Sequence, residues 1–329
     1  MEQAKKAPGA SATPMVQVQG LRKVYGDKTA IDDVTFEIGQ GEIVGILGLN
    51  GAGKSTVLKV LGAMLLPTSG EARVGGFSIE DEPDEVRKLI GYLPDQAPLY
   101  DEMPVKSYLE YVAGLKGLDA KTARLAAESA MARTNLENVA WSPLGSLSHG
   151  FRQRAGIAQA IVHSPKLVIL DEPINGLDPV QIVEMRDLIN SLREKHTVIL
   201  SSHILSEITR TCDRILIIDR GRVTAQGSER ELRERIHSRQ TVIVELAGEL
   251  AGNDGHSIAE LVKRIEGIAG VTNVSVRGRL ISLQTPDENR PVIARTVVES
   301  GIGLAALTRQ DDGLESLFMK LVSGANDHA

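Results

Sequence analysis

The segment Gly48-Leu-Asn-Gly-Ala-Gly-Lys54-Ser55 constrains this chain more than any other. It follows a strand-like apolar run at residues 42–47 and opens a helical pattern. Its spacing matches G-x-x-x-x-G-K-[ST], in which glycines let backbone N–H groups surround phosphate oxygens at a helix N-terminus. Such a loop needs a strand, a turn and a helix in this order. The sequence therefore predicts an α/β fold with a phosphate-binding loop.

The residue types in this loop indicate a nucleoside triphosphate with Mg²⁺. Lys54 is placed to bridge the β- and γ-phosphates, Ser55 to ligate the metal, and Thr56 to reach the α-phosphate. The predicted nucleotide-binding residues of the loop are Gly48, Asn50, Gly51, Gly53, Lys54, Ser55 and Thr56.

A second motif, which is acidic, follows a predicted buried strand. Four aliphatic residues, 167–170, precede Asp171 and Glu172. Two carboxylates at the end of a buried strand are costly without cationic partners. Asp171 is therefore predicted to hold the Mg²⁺ shell together with Ser55. Because neighbouring side chains on a strand point to opposite faces, Glu172 is predicted to orient or deprotonate a water molecule.

Length and composition point to a two-domain chain without a membrane span. The chain has 329 residues, 42% of them hydrophobic, one cysteine and a net charge of −6. About 150 residues per domain predicts two domains. No apolar run approaches the roughly 18 to 20 residues that a membrane helix needs. A net negative charge disfavours nucleic acid as a partner, and a single cysteine with no signal peptide favours a reducing cytosol.

The pattern along the chain predicts four parts. Residues 1–14 are predicted to be a disordered tail, and residues 15–238 a cassette in which strands alternate with helices in a mostly parallel sheet. Within the cassette, residues from about 81 to 150 are charged, helical and strand-poor. Residues 240–324 are predicted to form a smaller α+β domain in the order β-α-β-β-α-β plus one last helix around Leu314–Leu321, a ferredoxin-like arrangement.

Further motifs resemble those of the ATP-binding cassette (ABC) ATPases. Ser148-His-Gly150-Phe-Arg-Gln-Arg is similar to their signature motif, and Gly176-Leu-Asp178 to their D-loop. The resemblance implies that the ring of Tyr25 stacks on adenine and that His203 is the switch histidine. It also implies a P-loop fold, ATP hydrolysis, and a homodimer that sandwiches two ATP molecules. In such a dimer Ser148, Gly150 and Asp178 serve the ATP held by the other subunit. The signature residues are expected to precede a helix at residues 151–163.

The signature and the Q-loop depart from the usual pattern of the family. His149 and Phe151 stand where the signature normally has Gly and Gln, and Asp95 stands where the Q-loop glutamine is expected, with Gln96 next to it. The catalytic candidates are therefore Glu172 and His203 together with Asp95 or Gln96. The choice between Asp95 and Gln96 stays open at this point.

At a finer level the chain resembles the ATPases of type-2 ABC exporters, in particular the gliding-motility, nitrous-oxide-maturation and drug-resistance group. That resemblance implies a peripheral protein on the cytoplasmic face of the cell membrane. It would pair with a separate permease through the helical insertion, residues from about 81 to 150, and the Q-loop region. The alternative is a non-transport ABC ATPase of the translation or DNA-repair type. A GTPase switch is disfavoured because no Asn-Lys-x-Asp guanine motif is present. The small domain is expected either to tune dimerisation or partner choice, or to be an inert appendage.

Overall fold

The computed structural model describes residues 13–236, 240–247 and 255–310. The chain divides into two compact units, Met1–Glu229 and Arg230–Ala329. Most of the predicted tail and the predicted last helix lie outside the described residues. Among the helices in the described ranges, none has both the length and the apolar character of a membrane-spanning segment.

The first unit is mixed α/β. Its strands are β1 (Val16–Tyr25), β2 (Lys28–Ile38), β3 (Ile43–Leu47), β4 (Ser69–Val74), β5 (Phe77–Ser78), β6 (Ile90–Leu93), β7 (Leu167–Leu170), β8 (Thr197–Ser202), β9 (Arg214–Asp219) and β10 (Arg222–Gly227). Its helices are α1 (Lys54–Leu61), α2 (Pro83–Leu89), α3 (Val105–Leu115), α4 (Ala120–Thr134), α5 (His149–Ile161), α6 (Pro179–Leu192) and α7 (Leu205–Thr211), and α8 (Glu229–Ile236) follows at the boundary between the units.

A six-stranded sheet with the order β10-β9-β3-β8-β7-β6 forms the centre of this unit. Its strands are parallel except β10, which pairs antiparallel with β9. Strands β3 and β7 are buried along their whole length, as a sheet covered on both faces requires. The register pairs Leu93 with Leu170 and Leu170 with Leu200, so the carboxyl ends of β6, β7 and β8 lie at one edge. The predicted P-loop α/β fold is confirmed.

The structure differs from the sequence prediction in a second sheet. Strands β2, β1, β4 and β5 form an antiparallel sheet in that order. Its core residues, which include Val16, Val18 and Ile38, pack in one cluster with residues of the parallel sheet. The prediction of one mostly parallel sheet missed it because β1 and β2 pair with several register shifts, which interrupt the alternation typical of strands.

The segment predicted to be strand-poor contributes one strand to the central sheet. Strand β6 pairs with β7 between α2 and the helices α3 and α4. Helix α5 lies against β6 with little space between them. A Cβ at Gly91 would come within 1.8 Å of the Ala160 carbonyl oxygen, and one at Gly156 within 2.6 Å of the Leu93 side chain. Both glycines are therefore required by the close approach of helix and strand.

The second unit has the predicted α+β order. It comprises β11 (Gln240–Leu246), α9 (Gly255–Glu266), β12 (Thr272–Arg277), β13 (Leu280–Thr285), α10 (Arg290–Glu299) and β14 (Leu304–Gln310). The sheet order is β12-β13-β11-β14 and every pairing is antiparallel. Alternate residues of β11 and β13, such as Val242, Val244 and Ile281, pack with Leu261 and Ile293 of the two helices. The predicted ferredoxin-like fold and its hairpin are confirmed.

Candidate functional site

The glycine-rich loop lies between β3 and α1, and its glycines are sterically required. Gly53 has φ +110° and is the N-cap of α1, a conformation that side chains with a Cβ rarely adopt. A Cβ at Gly48 would come within 2.4 Å of the Ile218 carbonyl oxygen on β9. The loop therefore follows the backbone of its neighbours closely and leaves its N–H groups at the start of a helix, where anions bind.

Lys54 lies inside this loop with only 5% of its surface exposed. Its Nζ donates to the Gly48 carbonyl oxygen at 2.8 Å and to the Leu49 carbonyl oxygen at 3.3 Å. It also forms an ion pair with Glu172 Oε1 at 3.2 Å. A nearly buried ammonium group needs such compensation. The carboxylate of Glu172, which is predicted to be catalytic, is therefore a counter-ion of this lysine.

Asp171 directly follows β7 and is buried. Ser201 Oγ donates to Asp171 Oδ1 at 2.6 Å, and the Ser55 hydroxyl lies near the same carboxylate. Burial raises the pKa of Asp171, with smaller contributions from the charges of Glu172 and Asp95, while the two serines act to lower it. Burial thus disfavours the charged form of this carboxylate, and a bound cation would offset that cost.

Glu172 adopts φ +50°, an uncommon conformation for a residue with a side chain. Its N–H donates to Ser201 Oγ at 2.9 Å, and its Oε2 accepts from His203 Nδ1 at 3.0 Å. Ser201 therefore contacts both acidic residues, by donating to one carboxylate and accepting from the backbone of the other. Strained conformations of this kind persist where the surroundings hold them and are frequent in active sites.

Lys54 and Glu172 line one cleft of about 620 Å³, whereas the predicted residues Gly48 and Asp171 are not in its lining. Its lining contains many of the predicted site residues: Tyr25, Asn50, Gly51, Gly53, Lys54, Ser55, Thr56, Asp95, Glu172 and His203. Tyr25, at the end of β1, is 46% exposed, and Lys23 Nζ lies 5.4 Å from the centre of its ring. An exposed ring at the mouth of a phosphate-binding cleft is suited to stack on a nucleobase.

The cleft separates the two Q-loop candidates. Asp95 is in its lining, whereas Gln96 is exposed and outside it. The position after Leu93-Pro94 thus carries a carboxylate next to the candidate metal ligands rather than an amide.

The predicted residues of the signature and the D-loop lie outside this lining. Ser148 is the N-cap of α5 and accepts from the Phe151 N–H at 3.5 Å. Helix α5 begins at His149, not at residue 151, so Gly150 is within its first turn rather than ahead of it. Asp178 is the N-cap of α6 and accepts from the N–H groups of Val180 and Gln181 at 3.0 and 2.9 Å. Their roles toward another subunit's ATP stay predictions.

The donor set fits Mg²⁺. Mg²⁺ prefers oxygen ligands, is commonly bound by one or two protein groups plus substrate phosphates, and keeps several waters. Ser55 and Asp171 offer a hydroxyl and a carboxylate that lie near each other. Within the described part of the chain no cluster of three or more His, Cys, Asp or Glu residues could hold a metal. Ser55 and Asp171 can therefore form a Mg²⁺ site that has few protein ligands and is completed by phosphate oxygens and water.

Four cleft residues and one linking residue were missed from the sequence. Lys28, Ala30, Leu49 and Asn175 line the cleft, and Ser201 joins the two acids. Ser201 was detectable in principle from the sequence. A hydroxyl near the end of one apolar strand can hydrogen-bond to a carboxylate that follows a neighbouring strand, as Ser201 does with Asp171. Lys28 and Ala30 belong to β2, whose position depends on the sheet that the sequence pattern did not reveal.

A glycine loop at a helix N-terminus, a buried lysine and two consecutive acids after a buried strand define a nucleoside-triphosphate-binding cassette. Residues 31–175 match the ABC transporter family. The bacitracin transport ATP-binding protein BcrA of Bacillus licheniformis is 31% identical over 94% of this chain and 98% of its own length. The daunorubicin resistance ATP-binding protein DrrA3 of Streptomyces coeruleorubidus is 33% identical over 94% and 96%.

Solved structures agree with this relationship. An ATP-binding subunit of an ABC transporter is 32% identical, with a TM-score of 0.62, over 68% of this chain and 93% of its own. A dimeric ATP-binding cassette in a post-hydrolysis state with ADP and Pi is 27% identical, with a TM-score of 0.60, over 65% and 98%. The chain belongs to the ABC transporter ATP-binding protein family. It is an ATPase, and the predicted non-transport alternative is not supported.

Proposed function

We propose that this chain is the ATPase subunit of an exporter, bound to a separate membrane permease at the cytoplasmic face of the cell membrane. The relatives whose names describe bacitracin transport and daunorubicin resistance match it over nearly their whole length, which supports this assignment. The observation that carries the chemistry is the contact of Glu172 with both Lys54 and His203 in one cleft.

The two contacts of Glu172 suggest how ATP binding prepares hydrolysis. Lys54 is paired with Glu172 and with loop carbonyls. A triphosphate in the loop carries more negative charge than one carboxylate, so Lys54 exchanges Glu172 for phosphate oxygens. Glu172 is then free to orient or deprotonate the attacking water, and His203 on its other oxygen keeps the carboxylate in place. Ser55 and Asp171 would hold a Mg²⁺ ion, which would supply positive charge to neutralise the phosphates.

The active form is proposed to be a homodimer around two ATP molecules. The start of α5 supports this, because Ser148 and Gly150 present a helix N-terminus outside the cleft of their own chain. Supplied by a second copy, these donors reach the side of the γ-phosphate that the glycine loop leaves open. Asp178 lies at the start of α6, where it is proposed to serve the same interface.

The partner surface is proposed to be the helical region at about residues 81–150. This cassette has few aromatic residues, yet Tyr100, Tyr111 and Trp141 are exposed by 53, 43 and 73%. The rings of Tyr100 and Tyr111 lie 5.9 Å apart, and Leu115, one turn after Tyr111 on α3, is 67% exposed. Aromatic residues are enriched in the cores of protein interfaces. This surface is suited to bind the cytoplasmic loops of a permease.

The domain boundaries are proposed as 15–238 for the cassette and 240–324 for the small domain. The small domain has a hydrophobic core of its own, built from one sheet face and two helices. We propose that it tunes dimerisation or the choice of partner. Its removal is then expected to change permease binding or the rate of ATP hydrolysis, and no change in either would show it to be an inert appendage.

The proposed function is tested by Glu172→Gln. This variant is expected to bind ATP as the wild type does but to hydrolyse it at least about a hundredfold more slowly, because the amide cannot act as a base. It is expected to accumulate an ATP-bound dimer, measured by size-exclusion chromatography with ATP. Glu207→Gln is the matched control, since Glu207 is a buried acid near Glu172 that does not line the cleft. Unchanged turnover in Glu172→Gln would refute the catalytic role.

A further inference from the structure

His149 contacts a loop that is distant from it in sequence. Its Nε2–H donates to the Asn175 carbonyl oxygen at 2.9 Å, and a Cβ added to the next residue, Gly176, would lie 3.2 Å from the same nitrogen. His149 is the first residue of α5 and is exposed. The ring is thus not part of the core. It links the first turn of α5 to the loop that follows β7.

That loop, residues 172–178, begins and ends at functional residues. It starts at Glu172, whose uncommon backbone conformation is held by Ser201, and it ends at Asp178, which caps α6. Between them the backbone makes two long turn contacts, Asn175 N–H to the Glu172 carbonyl at 3.2 Å and Leu177 N–H to the Ile174 carbonyl at 3.3 Å. His149 supplies a shorter hydrogen bond at the middle of the loop.

The contact reaches the ATP cleft through Asn175. Asn175 lines that cleft together with Glu172, while its carbonyl oxygen accepts from His149. A second contact joins the same two regions, because a Cβ at Gly150 would come within 2.8 Å of the Gln181 side chain on α6. The start of α5 therefore packs on both the loop and the helix after it.

We propose that His149 is a positioning residue that couples the two ATP sites of the dimer. This rests on the proposed dimer, in which the start of α5 faces the ATP of the other subunit. Binding there moves or holds the first turn of α5, and the His149 to Asn175 hydrogen bond transfers that constraint to the loop carrying Glu172. The imidazole at 149 thus takes a role that a glycine at this position of the signature motif has no side chain to perform.

The test compares His149→Leu with His149→Gln. Both are good helix formers at an exposed position, so neither is expected to unfold the chain. They differ in one property: the glutamine amide keeps an N–H donor near the position of Nε2, and leucine has none. In ATPase assays His149→Leu is expected to lower the Hill coefficient for ATP toward 1 and to reduce kcat about three- to tenfold, the worth of one hydrogen bond. KM is expected to change little.

His149→Gln is expected to keep the wild-type Hill coefficient and kcat. A His149→Leu variant with wild-type cooperativity and kcat would overturn the proposal, and so would equal losses in both variants. Because wild-type ATPase activity and dimerisation are measured in the same assays, a failure of the proposed function shows in the wild type itself, whereas a failure of the coupling shows only in the variants.

Hydrogen–deuterium exchange tests the contact without relying on catalysis. In the nucleotide-free full-length chain, the amides of residues 174–177 are expected to exchange at least about threefold faster in His149→Leu than in the wild type, with His149→Gln close to the wild type. Equal exchange in all three proteins would contradict the contact on which the coupling depends.

Discussion

The same three strands carry ionisable groups at both ends, and the two ends use them differently. At the carboxyl ends of β6, β7 and β8, charged and hydroxyl side chains bind one another around the cleft: Asp171 with Ser201, and Glu172 with Lys54 and His203. At the amino ends, two histidines each bind a backbone carbonyl, and His196 also contacts Arg133 Nη1 through Nε2 at 3.2 Å. His163 contacts the Ile90 carbonyl at 3.1 Å, and His196 Nδ1 contacts the Pro165 carbonyl at 2.6 Å.

Side-chain pairs at the carboxyl ends of the strands can be exchanged for a ligand, whereas bonds to backbone carbonyls at the amino ends are fixed. A carboxylate that holds a lysine can release it to a more highly charged ligand, so the cleft end can rearrange when ATP binds. A backbone carbonyl of a sheet cannot leave, so the opposite end is a structural anchor. Lys116 fits this view, because its Nζ donates to the carbonyls of Arg87 and Ile90 at 3.1 and 3.2 Å.

The largest effect is expected at the cleft end, from Lys54→Ala. It removes the nearly buried cation and with it the charge-assisted bonds to phosphate. ATP affinity is expected to fall roughly a hundredfold or more, measured by titration with a fluorescent ATP analogue. Lys59→Ala on the same helix is the control, since Lys59 is exposed. Retained ATP affinity in Lys54→Ala would show that the lysine serves the fold rather than the ligand.

A smaller effect, confined to turnover, is expected from Ser201→Ala. The change removes the donor to Asp171 and the acceptor for the Glu172 N–H. We expect kcat to fall about ten- to a hundredfold, with ATP affinity within about twofold, because the lost bonds position the two acids.

Ser202→Ala is the matched control for this change. Ser202 is equally buried on the same strand but bonds to Glu207 and to the Ile204 N–H, away from the two acids. If both serine variants lost the same activity, the effect would come from the strand and not from the contacts of Ser201.

The smallest effect is expected at the anchor end, from His163→Gln. Burial, with the nearby charge of Lys116, lowers the pKa of His163 from 6.5 to about 4. Above about pH 6.5 the ring is neutral in both the folded and the unfolded chain. As the pH falls from 6.5 to 4, only the unfolded chain takes up the proton, so stability is lost across this window and the loss levels off below pH 4.

Glutamine keeps the donor to the Ile90 carbonyl and does not titrate. Relative to this variant, the wild type is expected to lose about 1 to 2 kcal/mol of unfolding free energy between pH 6.5 and 4, a value reduced for the partial exposure of the ring. Urea denaturation at several pH values measures it. Parallel stability curves for the two proteins would exclude titration of His163 as a cause of acid lability, and ATPase activity at pH 7 is expected to be unchanged.

The parts of the fold that local patterns encode were predictable from the sequence. The glycine loop after β3 and the acids after β7 are continuous motifs in the order strand, turn, helix, and the hairpin of β12 and β13 has alternating residues on both sides of a glycine. Strand β6 was not predictable in this way, since it has four residues, one of them Gly91, and forms because β7 pairs with it.

The contacts that complete the candidate site are long-range. The bond from His149 to Asn175 joins residues 26 positions apart, and the bond from Ser201 to Asp171 joins residues 30 apart. The sequence predicts that His149 departs from a glycine position, but it does not say what the ring touches. Likewise, the choice between Asp95 and Gln96 depends on the direction of the chain after β6. The two residues are adjacent, so their positions in the sequence do not show which side chain faces the cleft.

The close approach of α5 to β6 has a mechanical consequence. Where Gly91 meets the Ala160 carbonyl, backbone lies on backbone, with no flexible side chain between them to absorb a displacement. This backbone contact lies near the C-terminal end of the helix, and the other end, at His149, is about 16 Å away at 1.5 Å per residue. A tilt of about 5° at this contact would move the start of the helix by roughly 1.4 Å, which is enough to break a hydrogen bond. Helix α5 can therefore tilt as a rigid body about its contact with Gly91.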